Sequence, residues 1–329
     1  MRKMKRIALI CAIALFAFTA IMATASGAGE SGAKRPTVVL LMLGMESPYC
    51  PPYVSNFTEI VNKANMNMFM FNAKFDAKLQ ASQMDDAIAM KPAVIAVFAA
   101  DSQGIAPGVK KAYDAGIPVL MINNAPVKES YPYIVGFGGP NAYQEGEAVA
   151  EMMNDLLKGK GNVVLVEGLA GQANQIDRAQ GFIDKSAKIG AHFNILARQA
   201  ANWRKDLAVQ VMADFITRYK GQIDAVYAED DTLGVGASIA MTEASIPNGS
   251  IPIFGVGGSK EGLKAIDEGT MYGTVMQSPI VETNLVAQMA VDIVKNGIKA
   301  GQHLEPFLKY MDLPKVTKAN VSKYLPGDW

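Results

Sequence analysis

The chain has 329 residues, 50% of them hydrophobic and 19% charged, and its 31 lysines and arginines balance its 31 aspartates and glutamates. This length exceeds what a single hydrophobic core usually supports, so we expect two domains. The zero net charge and the absence of a polybasic run beyond the N-terminus argue against nucleic-acid binding, and we expect no nucleic acid as a partner.

The first 25 residues predict a signal peptide. They begin with a positively charged segment, continue as an apolar stretch at residues 7–21 and end in the small-x-small sequence Ala23, Thr24 and Ala25. The apolar stretch is too short and wrongly flanked for a membrane-spanning helix, although a retained anchor is the alternative. We therefore expect a protein that a signal peptide directs to the periplasm. Only Cys50 would remain after cleavage, so we expect no intrachain disulfide.

From residue 37 onward, apolar runs of strand length alternate with segments of helical periodicity. The first part predicts strands at 37–43, 66–71, 94–98 and 118–122 and helices at 52–64, 77–90 and 104–115. Repeated strand–helix wiring of this kind predicts a parallel sheet with helices on both faces.

The same pattern restarts after a predicted strand at 133–135. Asn141 is expected to cap a helix that ends at Leu157. Further strands are predicted at 162–166, 193–197, 225–227, 251–256 and 272–276, and further helices at 175–189, 205–219, 232–244, 260–268 and 280–296. The fold class is therefore α/β, with two doubly wound parallel-sheet lobes.

No low-complexity linker separates the two halves, which indicates that the chain crosses between the lobes more than once. Candidate crossings lie at residues 133–138, 276–279 and 304–307, each near a glycine or proline. We predict an N-terminal lobe of residues 36–137 plus 278–306 and a C-terminal lobe of residues 138–277 plus 307–329.

Motifs for several kinds of enzyme are absent from the sequence. It contains neither a G-x-S-x-G nucleophile elbow nor a phosphate-binding loop. With two histidines, His192 and His303, and one cysteine after cleavage, we expect no metal site and no cofactor. Asp230 and Asp231 could serve as a hydrolase's pair of carboxylates. Their other interpretation is a ligand-contacting Asp230 followed by Asp231 as a helix N-cap.

Polar and aromatic residues cluster at the carboxyl ends of the predicted strands, where open α/β sheets bind ligands. One such place is the glycine turn after strand 162–166, where Arg178 is the lone cation. Forked amide, guanidinium and carboxylate groups match vicinal hydroxyls, and aromatic faces pack against C–H groups. The candidate ligand-binding residues, called the eight predicted residues below, are Tyr49, Cys50, Asn123, Asn124, Arg178, Trp203, Asp230 and Gln277.

Several short motifs carry a resemblance to a known family. They are Ser47-Pro48-Tyr49, Gly116-Ile117-Pro118-Val119, Gly168-Leu169-Ala170-Gly171, Arg178-Ala179-Gln180-Gly181-Phe182, Ala228-Glu229-Asp230-Asp231 and Gly255-Val256-Gly257-Gly258. Over residues 36–324 the chain resembles the periplasmic sugar-binding proteins of ABC transporters, the ribose-binding-protein-like group of type I solute-binding proteins. The resemblance implies two lobes, joined by three crossings, that close on the ligand by hinge motion.

The resemblance also implies a role for several residues. By position, Tyr49 and Cys50 match the aromatic pair of the family's first binding loop, and Asn123 matches an acid that binds sugar hydroxyls. Arg178 matches the ligand arginine, Trp203 the stacking aromatic, Asp230 the usual Asn or Asp, and Gln277 the glutamine at the last crossing. We expect Arg178→Ala to abolish binding and leave the fold intact. Gln172 and Asn174 match no binding role, so we interpret them as loop-shaping residues.

Five departures from the family pattern change the expected ligand. Cys50 stands where a second aromatic is common, and Ser47 replaces a frequent Asn. Asn123 and Gly257 stand where acids are common, and Asn124 stands where close ribose binders have an arginine. These changes predict a roomier and less acidic pocket than a ribose site. A different pentose or hexose, or a linear polyol, fits such a pocket.

The leading functional interpretation is a periplasmic solute-binding protein, acting as a monomer. It would capture a small-molecule carbohydrate or polyol between its lobes and deliver it to the membrane permease of an ABC transporter. One alternative is a sensory module that presents the same ligand to a chemoreceptor or sensor kinase. A second is an exported carbohydrate-acting enzyme that uses Asp230 and Asp231.

Overall fold

Two six-stranded sheets form the frame of the molecule. The computed structural model describes residues 35–329, so the predicted signal peptide lies outside the described residues. The strands are β1 (Thr37–Met42), β2 (Asn67–Asn72), β3 (Val94–Phe98), β4 (Val119–Ile122), β5 (Gly136–Gly139), β6 (Lys160–Glu167), β7 (His192–Ala200), β8 (Ala225–Ala228), β9 (Ile253–Gly257), β10 (Gly273–Met276), β11 (Leu308–Tyr310) and β12 (Lys315–Thr317). The sheet orders are β11-β5-β4-β3-β1-β2 and β12-β10-β9-β8-β6-β7, and the pairing is parallel except between β10 and β12.

Nine α-helices connect these strands within residues 35–329. They are α1 (Cys50–Lys63), α2 (Ala77–Ala89), α3 (Ser102–Asp114), α4 (Ala142–Leu157), α5 (Ala173–Lys188), α6 (Lys205–Arg218), α7 (Asp231–Glu243), α8 (Lys260–Glu268) and α9 (Pro279–Lys295). Asn141 caps α4 as expected, because its side chain accepts a hydrogen bond from the Gln144 backbone amide. None of these helices is long and apolar enough to cross a membrane.

Each sheet is covered on both faces, as its continuous apolar strands require. In β1, Val38 and Leu40 belong to one buried cluster, and Val39, which points to the opposite face, belongs to another. In β6, Val164 and Leu165 divide between two clusters in the same way. Alternating side chains that are all buried are what a doubly wound sheet produces. The predicted fold class is confirmed: two parallel-sheet α/β lobes.

The strand predicted at 133–135 is wrong in position. Lys128–Tyr133 forms a short 3₁₀ helix, and the strand is the glycine-rich β5, Gly136–Gly139. A Cβ built on Gly138 would lie 2.7 Å from Met289 Sδ and 2.8 Å from Val286 Cγ1 on α9. Position 138 is a glycine because α9 packs directly on the backbone of β5. Glycines have no apolar side chain, so the sequence of β5 lacks the pattern that marks a strand.

The crossings between the two sheets differ partly from the prediction. The chain leaves the first sheet after Gly139 and returns to it between Met276 and Pro279. The return lies at the predicted crossing, residues 276–279. The third crossing lies after Tyr310 rather than at 304–307, because β11 pairs in parallel with β5. The structure thus places all of β5 and β11 in the first sheet, against the predicted lobe bounds at 137/138 and 306/307. The other predicted lobe bounds stay a prediction.

Candidate functional site

A cavity lies at the carboxyl ends of strands from both sheets and is lined by residues of both lobes. All eight predicted residues line it, although they come from widely separated parts of the chain. Its volume is ≈ 70 Å³, several times the roughly 10–15 Å³ that a single water requires. A cavity of this size suits one small molecule.

Arg178 is buried on α5 and is held by three hydrogen bonds. Its Nε donates to Glu145 Oε2, its Nη1 donates to the backbone oxygen of Glu229, and its Nη2 donates to Gln277 Oε1, each at 2.7 Å. A guanidinium has five N–H donors. Two of them therefore remain for a ligand, and the ion pair with the fully buried Glu145 fixes the orientation of the group.

Two glycines allow α4 and α5 to approach closely enough to form this ion pair. A Cβ on Gly146 would lie 2.0 Å from the Arg178 backbone oxygen, and a Cβ on Gly181 would lie 2.0 Å from the Tyr143 backbone oxygen. Any side chain at either position would push the helices apart. The position of Arg178 in the cavity thus depends on backbone contact between these helices.

Glu282, in the first turn of α9, supplies a buried carboxylate behind the cavity. Its Oε2 accepts from Tyr49 Oη at 2.5 Å and from Asn123 Nδ2 at 2.8 Å, and its Oε1 accepts from Tyr53 Oη at 3.2 Å. Gln277 Nε2 also donates to Oε2 at 3.3 Å. Burial raises the pKa of Glu282 to about 7, although these donors favour its charged form. The carboxylate orients three of the eight predicted residues.

Three asparagines line the cavity on both of its sides. Asn174 Nδ2, in the second lobe, donates to Asn123 Oδ1, in the first, at 3.0 Å. Asn124 Nδ2 donates to the Ala99 backbone oxygen. Within the described residues, Asn124 Oδ1 and Asn174 Oδ1 are buried and have no hydrogen-bond donor. Both asparagines line the cavity, so two of its wall residues carry an unsatisfied acceptor.

Trp203 forms an aromatic wall of the cavity. Its Nε1 donates to Gln172 Oε1 at 2.6 Å, and the Arg178 guanidinium carbon lies 5.7 Å from the ring centroid. The ring lies over Gly168, where a Cβ would meet it at 2.0 Å. Trp203 also has a φ of 57°, an uncommon conformation for a bulky residue and one that occurs at functional sites.

The interpretation of Gln172 and Asn174 as loop-shaping residues is wrong. Both line the cavity, and each bonds one of the eight predicted residues: Gln172 holds Trp203, and Asn174 holds Asn123. Their position in the first turn of α5 and just before it is the signal that could have revealed them.

The two neighbouring aspartates have separate roles. Asp230 lines the cavity and is the N-cap of α7, because its Oδ1 accepts from the Leu233 amide at 2.8 Å. The expectation that Asp231 is the N-cap is therefore wrong. Asp231 is fully buried and accepts from the Gly258 and Ser259 amides and from Thr274 Oγ1. Its Oδ2 therefore fixes the loop after β9, and its Oδ1 is bound to β10. Burial raises the pKa of Asp230 to about 7.

Cys50, the first residue of α1, is a free buried thiol on the cavity wall. Burial raises the pKa of this thiol to about 12, so it is neutral at pH 7. No group of three or more His, Cys, Asp or Glu side chains in residues 35–329 is placed to hold a metal ion.

Comparisons with known proteins agree with this architecture. Residues 38–299 match a family described as periplasmic binding protein domain. A xylitol-binding protein of Mycolicibacterium smegmatis is 31% identical over 314 residues, 95% of this chain and 86% of that protein. A fructose import binding protein of Bifidobacterium longum is 26% identical and covers 84% of this chain and 85% of its own length.

The fold matches solved structures as well. A crystal structure from Mycobacterium smegmatis in complex with beta-D-fucofuranose superposes with a TM-score of 0.80 at 24% identity. The match covers 88% of this chain and 94% of that one. At this level of identity the match shows the shared fold alone.

Proposed function

The chain belongs to the family of periplasmic binding protein domains, and from that premise we propose that it captures one small sugar or polyol between its lobes. In this proposal it then delivers the ligand to the membrane permease of an ABC transporter. The curated relatives compared above are named for binding xylitol and for importing fructose. Their similarity extends over at least 84% of this chain, which includes both lobes.

The unsatisfied oxygens of Asn124 and Asn174 are the observation that carries this proposal. A buried acceptor without a donor costs free energy, about 1–3 kcal/mol, which a ligand hydroxyl would recover. The two spare N–H groups of Arg178 and the carboxylate of Asp230 lie in the same cavity and offer complementary partners. Adjacent hydroxyls, each both donor and acceptor, satisfy such a mixed set, and an apolar ligand does not.

Size and shape narrow the class of ligand. The cavity suits a molecule of monosaccharide size or smaller, and the face of Trp203 suits the C–H groups of a carbon chain or ring. Xylitol is the first ligand to try, because the relative named for it is the more similar of the two compared. A pentose, a hexose or another linear polyol remains in the proposed class.

We propose binding without chemical conversion of the ligand. A glycosidase of the usual kind needs two carboxyl groups flanking the bond that it cleaves. Asp231 does not line the cavity, and both of its oxygens are engaged by protein donors, so the aspartate pair does not provide this arrangement. Recovery of the ligand unchanged after incubation with the protein tests this point.

The proposal includes a place in the cell and a physical state. Residues 1–25 act as the signal peptide, and the remaining chain acts in the periplasm as a monomer, without nucleic acid. The name of the family supports this location. Size-exclusion chromatography with light scattering, on protein from a periplasmic extract, measures both location and mass.

A thermal-shift screen against pentitols, pentoses and hexoses tests the proposed function. A ligand in excess that binds the folded state raises the melting temperature by mass action. Calorimetry with the best ligand should then show one site. Asn174→Ala should weaken binding about tenfold or more, whereas Asn194→Ala, at an exposed asparagine outside the cavity, should leave it unchanged. Absence of any shift across the panel would contradict the proposal.

A further inference from the structure

The last residues of the sequence reach the cavity. Trp329 lines the cavity beside Tyr49 and Gly257, far from where either residue lies in the chain. The resemblance covers residues 36–324, so it assigned no role to this segment.

The segment is held in place by contacts to the second lobe and to the middle crossing. The Lys260 amide, at the start of α8, donates to the Trp329 backbone oxygen at 2.6 Å. The Ser278 hydroxyl, at the crossing before α9, bonds Asp328 Oδ2. Gly327 lies against the Gly258 backbone. These contacts therefore hold Trp329 in a defined position in the cavity wall.

The indole ring packs against the first lobe. It lies edge-on to Tyr49, with centroids 5.3 Å apart and planes at 82°. It belongs to the same buried cluster as Tyr53 and Phe98. The backbone of Trp329 is thus bound to the second lobe, while its ring also packs against the first.

Gly257 makes room for this ring. A Cβ at Gly257 would lie 2.6 Å from Trp329 Cζ2, and Gly257 has a φ of 135°, which other residues rarely adopt. By the resemblance, position 257 commonly carries an acid. In this chain the indole of Trp329 occupies the space that a side chain at position 257 would need.

The indole N–H of Trp329 has no acceptor. Trp329 is 91% buried, and within the described residues its Nε1 has neither solvent contact nor a hydrogen-bond partner. Buried tryptophan N–H groups normally have a partner. Asn124 and Asn174, whose side-chain oxygens are also buried without a donor, line the same cavity. One donor and two acceptors without partners, on three residues that line one small cavity, are a set that a bound polyol would complete.

We propose that Trp329 is a ligand-binding residue whose indole N–H donates a hydrogen bond to a hydroxyl or ring oxygen of the sugar or polyol. This inference rests on the proposed function and adds a specificity determinant to it. The ring closes the side of the cavity at Gly257, so the ligand must present an oxygen, rather than a positively charged or apolar group, at that position. An analogue without that hydroxyl should bind more weakly.

Two substitutions separate the contribution of the N–H donor to binding from that of the aromatic ring. Trp329→Phe keeps an aromatic wall and removes the N–H, and calorimetry with the best ligand of the screen should show about tenfold weaker binding. Trp329→Ala also removes the wall and should weaken binding at least about thirtyfold. Leu325→Ala is the matched control, because Leu325 is exposed in the same segment, and it should bind as the unmodified protein does.

A direct reporter exists because the chain has only two tryptophans, Trp203 and Trp329. Protein labelled with 5-fluorotryptophan should give two ¹⁹F resonances, and loss of one in Trp329→Phe assigns them. Saturating ligand should shift the Trp329 resonance as well as that of Trp203. The titration itself uses the unmodified sequence, and the variant serves only to assign the two resonances.

The outcomes separate the two proposals. Normal affinity of Trp329→Phe, or a Trp329 resonance that saturating ligand does not move, would overturn the role of Trp329 and leave the proposed function standing. Failure of the unmodified protein to bind any sugar or polyol would overturn both. Weakened binding by both Trp329 variants, together with unchanged affinity of Leu325→Ala, would establish the role of Trp329.

Discussion

Arg178 shows how strongly a cavity residue of this protein depends on buried partners. Its guanidinium pairs with Glu145, which is fully buried, and bonds the Glu229 backbone and Gln277. Breaking a buried ion pair by removing one partner leaves the other charge uncompensated, and this is strongly destabilising. The contacts therefore argue against the expectation that Arg178→Ala leaves the fold intact.

We predict that Arg178→Ala abolishes measurable binding and also lowers the free energy of unfolding by about 3–5 kcal/mol. Adding Glu145→Gln should restore part of that stability, because the remaining side chain is neutral, without restoring binding. Urea unfolding measures the stability, and calorimetry measures the binding. An unchanged free energy of unfolding in Arg178→Ala would show that the buried Arg178–Glu145 ion pair does not stabilise the fold.

The buried carboxylate of Glu282 makes stability depend on pH. Burial raises its pKa to about 7, from about 4.3 in an unfolded chain. Between these values the folded protein holds a proton that the unfolded chain releases, so stability falls as the pH rises through this window. The loss amounts to roughly 3 kcal/mol at pH 8 relative to pH 4. The raised pKa of Asp230 acts in the same direction.

Glu282→Gln should reduce the slope of this profile and leave the part that is due to Asp230, because an amide does not titrate. Its oxygen can still accept from Tyr49, so the packing is retained. Unfolding in urea at pH 5, 6, 7 and 8 measures the effect, with the exposed Glu305→Gln as control. If the Glu282→Gln profile has the same slope as that of the unmodified protein, the carboxylate is not the titrating group.

The residues found from the sequence and those missed differ in how they reach the cavity. The eight predicted residues lie at or near the ends of predicted strands, where the topology of a parallel sheet brings polar residues together. Glu282 sits one turn into α9, and Trp329 arrives by a segment that follows the last strand. Neither the strand-end rule nor local periodicity marks such positions, because only the tertiary fold brings them close.

At the scale of elements, the contact between α4 and α5 positions the charged part of the cavity. Gly146 and Gly181 lie where the two backbones touch, and Glu145 and Arg178 extend from the same contact. The sequence predicted both helices but not their close approach. A glycine within a helix reads as a destabilising residue, and its packing role is visible only once the neighbouring helix is known. The misplaced strand at β5 has the same origin, because Gly138 serves packing against α9.

We predict that Gly181→Ala separates these helices and weakens ligand binding about tenfold or more, because Arg178 moves with α5. The new Cβ would lie 2.0 Å from the Tyr143 backbone oxygen, so the backbone itself must shift. Gln180→Ala, at an exposed position one residue away on the same helix, is the control. Calorimetry and thermal unfolding together measure the effect. Normal binding by Gly181→Ala would show that the contact does not position Arg178.

At the scale of the whole molecule, few groups connect the lobes across the cavity. Asn174 bonds Asn123 from the opposite lobe, and Trp329 joins the two lobes through its backbone and its ring. A ligand held by both walls favours the state in which they are close. The resemblance implied this closing motion. The crossings that permit it were predicted only in part, since the pairing of β11 with β5 is non-local.

We predict that the best ligand of the screen reduces the radius of gyration in solution, because closed lobes are more compact. Small-angle scattering with and without ligand measures the change. Asn174→Ala should reduce the ligand-dependent change at subsaturating ligand by weakening the closed state. A radius of gyration that is the same with saturating ligand as without it would argue against closure on the ligand.

A crystal structure with the best ligand of the screen tests the central claim most directly. We expect one sugar or polyol in the cavity, with hydroxyls against Asn124 Oδ1 and Asn174 Oδ1, a hydrogen bond from Arg178, and Trp203 against its carbon chain. A ligand bound elsewhere, or one in the cavity that leaves both asparagine oxygens without a donor, would contradict the account.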